Sequence, residues 1–270
     1  MTANPRNTAE SPAESIQLLP IDGIPDVQPG DSLLEMIVSA IESSVGTLVE
    51  GDVVAVTHKI VSKAEGGLID LTTIQPSALA IQIGEEWGKD ARQVEVVLRQ
   101  SHRIVRMVRG LIISQTRHGF ICANAGVDNS NVSSDLVCIL PADPDASAEA
   151  LRQGLVERFF PDHDGDRSPL GVIITDSFGR PWRAGIVNVA IGVAGLAPLS
   201  DYRGQHDPSG YELRASILAV ADELASASEL VMHKLAARPV AVIRGYLPQT
   251  SGVPGTGQDL VMAEERNLFV

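Results

Sequence analysis

Apolar residues recur along this chain in two rhythms, one suited to strands and the other to helices. IQLLPI (16–21) reads as a short strand, and the Gly- and Pro-punctuated loop after it leads to Asp31, a good N-cap for a helix over SLLEMIVSAIESSV. The β-branched run VVAV (53–56) predicts a buried strand that passes into the basic segment THKIVSKAEGG. Three- and four-residue spacing from Pro76 to Ser101 predicts helix, and RIVRMVRGLIISQT predicts paired strands around Gly110. ICANAGVDNSNV (121–132) starts as a strand and turns abruptly polar. ASAEALRQGLVERFF predicts an amphipathic helix, and LGVIITD a fully buried strand ending on a carboxylate. A long helix is expected from about Leu213 to about Lys234, and PVAVIRGY is one more strand.

Interleaved strands and helices predict a mixed α/β (α+β) fold. Residues 1–15, small, polar and Pro-interrupted, are expected to form a flexible leader. Residues 16–248 form the body, either one large domain or two intertwined lobes, and 249–270 form a tail whose apolar periodicity is too weak for core. At 270 residues the chain can bury a substantial interior. With 44% hydrophobic and 20% charged residues, disorder is not the default.

Charge narrows the function classes. There are 21 basic and 34 acidic residues, a formal charge of −13, which opposes general attraction to nucleic acid or an anionic membrane. An anionic ligand would need local help from a metal ion, placed Lys or Arg side chains, or helix N-termini. No apolar run approaches the ~20 residues that span a bilayer. Cys122 and Cys138 are the only cysteines, and without a signal-peptide pattern the expected setting is the reducing cytoplasm.

The sequence has no G-x-x-x-x-G-K-[ST] phosphate loop, no G-x-S-x-G elbow and no H-E-x-x-H pair. GVPGTG (252–257) does not fit a dinucleotide fingerprint, and DHDGD (162–166) lacks the spacing and terminal Glu of an EF-hand. What remains is a repeated layout. In VDNSNV and TDSFGR an apolar segment delivers Asp128 or Asp176 to the point where the backbone leaves the core, beside hydroxyls and amides. Magnesium and manganese favour such oxygens, which makes Asp128, Asp176 and the Ser177 hydroxyl a candidate ligand set. Both aspartates could equally cap turns. Lys59 and Lys63 stand at helical spacing, suited to phosphate or to a solvated basic face. Arg180 and Arg183 flank Trp182, whose indole could support an aromatic ring or pack in the core.

Several stretches together resemble the coenzyme F420-0:L-glutamate ligase family: GDVVAVTHKIVSKAEG, GFICANAGVDNSNV, GVIITDSFGRPWRAG, VAIGVAGLAPLSDYRGQHDPSGYEL and VADELASASELVMHKLAARPVAVIRGY. The resemblance spans roughly residues 16–248, with the blocks in matching order. It implies a GTP-dependent ligase that adds L-glutamate to coenzyme F420-0, then further glutamates through γ-linkages, releasing GDP and phosphate. It also implies a fold of the family's own without a P-loop, an intertwined homodimer, and magnesium or manganese, two per site. Whether potassium assists is left open.

Carried across position by position, the resemblance puts metal ligands at Asp128, Asp176 and Ser177, and catalytic roles at Lys63, Asp128 and Asp176. It puts nucleotide contacts at Ile24, Pro25, Asp26, Val27, His58, Lys59, Lys63, Asn131 and the segment from Met232. Lys234 stands where some members of the family carry a metal ligand, so that coordination position lacks a candidate. Because the chain ends at Val270, no flavin is expected. The rival classes are a metal-dependent phosphohydrolase and a non-catalytic GTP-binding protein.

Overall fold

The computed structural model describes residues 15–130, 134–165, 168–248 and 252–267. In chain order the elements are β1 (Gln17–Ile21), α1 (Leu33–Val45), β2 (Val53–Thr57), α2 (His58–Ala64), β3 (Leu68–Asp70), α3 (Ala78–Trp87), α4 (Ala91–Gln100), β4 (Ser101–Val108) and β5 (Leu111–Thr116). They continue with β6 (Ile121–Ala123), β7 (Leu136–Cys138), α5 (Pro144–Phe159), β8 (Gly171–Arg180), β9 (Arg183–Ala194), β10 (Ser200–Asp201), β11 (Ile217–Leu218), α6 (Val220–Met232) and β12 (Val240–Arg244). The fold is mixed α/β, as the interleaved pattern predicts.

Its centre is a five-stranded sheet in the order β1-β12-β2-β8-β9, in which β2 and β8 run parallel and the other pairs antiparallel. The continuous apolar run of β2 follows from burial on both faces. Val54 and Val56 pack with Ile37 and Ile41 of α1 and Leu151 and Leu155 of α5. Val53 and Ala55 pack on the other side with Ala221, Leu224 and Ala225 of α6. Strand alternation thus places one helical layer on each side of the sheet. A satellite unit of α3, α4 and the β4-β5-β6 sheet has its own core around Ile83, Val94, Val97 and Ile112.

Glu95 joins α4 to α3 within this satellite. Its carboxylate accepts the Ser77 N–H at 2.9 Å and the Arg99 Nε–H at 2.9 Å, while the Ser77 hydroxyl caps α3 by accepting from Ala80 N. The Ser77 contacts, reinforced by Arg99, hold the Glu95 carboxyl down at about 2. An unfolded Glu titrates near 4.5, so ionised Glu95 stabilises the fold in full above that pH and loses its contribution as pH falls toward about 2. Glu95→Gln is therefore expected to melt below wild type at pH 7, with the gap closing across that acid window in calorimetric scans. A gap that does not vary with pH would show that the charge is irrelevant.

Four local expectations need correction. Asp31 does not cap α1, because its carboxylate is turned back to accept from Gln28 N, and Ser32 sits at the N-cap. The stretch from Pro76 to Ser101 is two helices, separated where Gly88 takes a left-handed conformation (φ 63°) and Asp90 caps the next helix at Arg92 N. The long C-terminal helix starts only at Val220, since Ile217–Leu218 pair with β10. β8 continues beyond Asp176 to Arg180 as half of a hairpin, and at the hairpin's tip Trp182 is 85% exposed, which removes core packing as its role.

After β12 the chain returns to the sheet. Gly257 N donates to Asp145 Oδ1, which also accepts from Val193 N, so one carboxylate on α5 fastens both β9 and residues 255–260. Cys122 and Cys138 are free thiols that burial pushes up to about 12 and about 11, outside the range of reactive cysteines. No helix among the described residues is long and apolar enough to cross a membrane.

Candidate functional site

β2 gives way to α2 with no intervening loop: Thr57 is still extended (φ −66°, ψ 137°) and His58 is already helical. This abrupt junction puts Lys59 and Lys63, four residues apart, on one face of α2 and against an open cleft of about 400 Å³. The same cleft is lined by the loop Ile24–Val27, by Asp176 and Ser177 of β8, by Asn188 of β9, and by Glu229, Met232, His233 and Lys234 at the end of α6.

Both lysines are mostly buried, and burial of an ammonium requires a partner. Lys63 Nζ lies 2.7 Å from Asp26 Oδ1, and Lys59 Nζ lies 2.7 Å from Asp128 Oδ2 while donating also to Ser130 Oγ. The hydrogen bond from Lys63 holds the Asp26 carboxyl below the usual carboxylate range. For Asp128 burial pushes the carboxyl up, but Lys59 and the Ser130 N–H together outweigh it and leave it low. The lysines are thus charge-matched by carboxylates that an incoming polyanion would displace.

A second polar group faces them. The Ser177 hydroxyl donates to Asn188 Oδ1 at 2.8 Å, and Asn188 Nδ2 donates to Glu229 Oε2 at 3.1 Å, joining β8, β9 and α6 in one chain of contacts beside Asp176. His58, 1% exposed, stands behind Asp176, with Nε2 3.3 Å from Asp176 Oδ1 and Nδ1 3.4 Å from Ser62 Oγ. The Nε2 contact is a close approach without hydrogen-bond alignment, for Nε2 has no aligned partner.

The structure therefore brings Ile24, Pro25, Asp26, Val27, Lys59, Lys63, Asp176, Ser177 and Met232 to one cleft. It sets two others back from it. The His58 side chain backs Asp176 and does not line the cleft, and Asp128 sits behind Lys59. Asn131 lies outside the described residues. Of the arginines singled out with Trp182, Arg180 donates to the Ala184 carbonyl of its own hairpin, and neither Arg180 nor Arg183 lines the cleft.

Asn188 and Glu229 are functional candidates that the sequence reading missed. Signals for both existed. Asn188 interrupts the apolar run IVNVAIGVA and is only 4% exposed, while the half-buried Glu229 borders the buried stripe of α6 between Ala225 and Met232. Among the described residues no three His, Cys, Asp or Glu side chains are grouped as a ready-made metal chelate. Besides Asp26, which pairs with Lys63, the cleft presents the carboxylates of Asp176 and Glu229, with the Ser177 hydroxyl and the Asn188 amide oxygen. Such a sparse, all-oxygen set suits magnesium or manganese, which take few protein ligands and complete their shell with water and substrate phosphate.

Residues 23–245 match the family model described as F420-0:Gamma-glutamyl ligase. The chain is 45% identical over 232 residues to a coenzyme F420:L-glutamate ligase of Methanothermobacter thermautotrophicus, covering 86% of this chain and 89% of that protein. It is also 45% identical over 246 residues to the protein of that name from Methanopyrus kandleri, covering 90% and 93%. A third, from Methanocaldococcus jannaschii, is 42% identical over 224 residues. These matches place the chain among the ligases that form carbon–nitrogen bonds. It belongs to the F420-0:gamma-glutamyl ligase family.

Proposed function

We propose that the chain uses GTP to join L-glutamate to coenzyme F420-0 and then adds further γ-linked glutamates, releasing GDP and phosphate, and that it does so as a homodimer. The activity for which its relatives are named supports the ligation. One structural observation carries the chemistry: two buried lysines and an Asp-Ser pair, drawn from separate segments, face a single open cleft.

An unactivated carboxylate is a poor electrophile, because oxide would have to leave. In the proposed route an oxygen of the acceptor carboxylate attacks the γ-phosphorus, the bond to the GDP oxygen breaks, and an acyl phosphate forms. The deprotonated glutamate amine then attacks the acyl carbon, forming the C–N bond as phosphate leaves. Lys59 and Lys63 neutralise charge on the phosphates, exchanging Asp128 and Asp26 for phosphate oxygens. The Ile24–Val27 loop and Met232 wall the nucleotide in. Magnesium or manganese, held by Asp176 and Ser177 with Glu229 in reach, would supply Lewis-acid stabilisation of phosphate oxygens and offset the −13 charge of the chain. Glu229 would also fill the ligand position that Lys234 cannot.

Mass spectrometry tests this directly. Protein incubated with F420-0, GTP, manganese and glutamate should give an acceptor heavier by one glutamate, with GDP release that requires both glutamate and acceptor. Phosphate release without either would favour a phosphohydrolase. GTP binding indifferent to manganese, with no turnover, would favour a binding protein.

A further inference from the structure

Next along the β8–β9 hairpin lies a second cavity, of about 310 Å³. The two cavities share neighbouring residues of the same strands: Asp176, Ser177 and Asn188 line the first, and Phe178, Val189 and Ala190 line the second. Phe178 follows Asp176 by two residues on β8, a separation of roughly 7 Å along a strand. β6, whose Ile121 lies in the wall of the second cavity, packs against β8.

The chemistry of the second cavity differs from that of the first. No Phe, Tyr or Trp lines the lysine cleft among the described residues, whereas Phe120 and Phe178 meet edge to face in the second, ring centroids 6.2 Å apart. Leu260 and Met262 close it from the C-terminal segment. Its polar groups are few and placed. Arg103 donates to Gln115 Oε1 at 2.7 Å, and among the described residues no carboxylate pairs with Arg103. Asp222 reaches the wall with one oxygen accepting from Ala190 N, and Glu264 adds another carboxylate, so the cavity as a whole is not cationic. That balance disfavours a phosphate group. It suits a planar heteroaromatic ring whose edge carries both donors and acceptors, for which Arg103, Gln115 and Asp222 offer complements.

We propose that this cavity binds the planar heteroaromatic ring of the acceptor, Phe120 and Phe178 packing against it and the Arg103–Gln115 pair reading its hydrogen-bonding edge. The assignment rests on the ligase reading of the neighbouring cleft and adds to it the place of the second substrate. Anchored here, the acceptor's flexible side chain runs along β8 toward Asp176, which brings its terminal carboxylate to the phosphates. The segment 260–262 acquires a role as one wall of the acceptor site.

The test is equilibrium binding to the full chain by calorimetry, with three probes: F420-0, its deazariboflavin part without the phosphate-linked carboxylate arm, and GTP with manganese. Phe178→Leu, Arg103→Gln and the cavity-filling Val189→Trp are compared with wild type after their melting temperatures show them folded. Each variant should weaken F420-0 and deazariboflavin by about tenfold or more, with GTP binding changed less than about twofold. Unchanged acceptor affinity in all three would overturn the assignment, and so would a loss confined to GTP, which would make the cavity the guanine site. Wild type that binds GTP but neither acceptor probe would remove the ligase reading itself, and the ring site with it.

Discussion

Asp176→Ala is expected to lower glutamate-dependent GDP release by at least ~100-fold, because a carboxylate that positions a cation beneath phosphate is lost when charge develops in the transition state. Asp176 is singled out by its surroundings. It lines the cleft beside Ser177, accepts the Ser177 N–H at 2.7 Å, and is backed by the buried His58 ring, so its carboxylate has little freedom to turn away. Manganese affinity measured by calorimetry or EPR should fall with the rate, a readout that does not depend on turnover. Asp128→Ala should act differently. Asp128 sits behind Lys59, so its loss frees that ammonium to wander and chiefly weakens nucleotide binding. An Asp176→Ala protein that turns over near the wild-type rate, with unaltered manganese affinity, would end the proposed role.

How much of this could be read from the chain depends on the range of the forces involved. β2 and β12 were legible because strands covered on both faces must be continuously apolar, and VVAV and VAVI are. Lys59 and Lys63 were legible as a pair because helical spacing alone fixes their common face. The start of α6 was not. ELRASILAV has helical composition, but Ile217–Leu218 are claimed by β10, and that pairing is a tertiary event that propensity cannot see. Asn188 and Glu229 were missed for a similar reason. Asn188 is one polar residue in an apolar stretch and Glu229 one of several polar residues on α6, and their meaning appears only when Asn188 Nδ2 meets Glu229 Oε2 across 41 residues of sequence. His58, which resemblance places at the nucleotide, has its side chain buried behind Asp176, a placement that helical spacing alone does not reveal.

Asp52→Ala is expected to destabilise the fold by about 3 kcal/mol, the lower end of what removal of one partner from a buried ion pair costs. Asp52 is fully buried at the entrance to β2. Its carboxylate takes Nε and Nη2 of Arg244, at the end of β12, at 2.9 and 2.8 Å, and accepts the Val49 N–H at 2.9 Å. Alanine would leave the Val49 amide unpaired and Arg244 holding only the Thr47 carbonyl. Arg244 is about a quarter exposed and keeps partial access to water, which is why the lower figure applies. For a chain of this size that corresponds to a melting temperature lower by roughly 6–12 °C. Pairing the change with an apolar partner, as in Asp52→Leu/Arg244→Met, should recover at least about half of the loss, since replacing a whole buried pair is often close to neutral. The consequence for the site is indirect but testable. Asp52 stands just before β2, which delivers α2 with its lysines at its other end, and below its melting temperature the folded Asp52→Ala protein should bind GTP with manganese as wild type does. A melting shift under about 2 °C would show that the β2–β12 register is held by apolar packing alone.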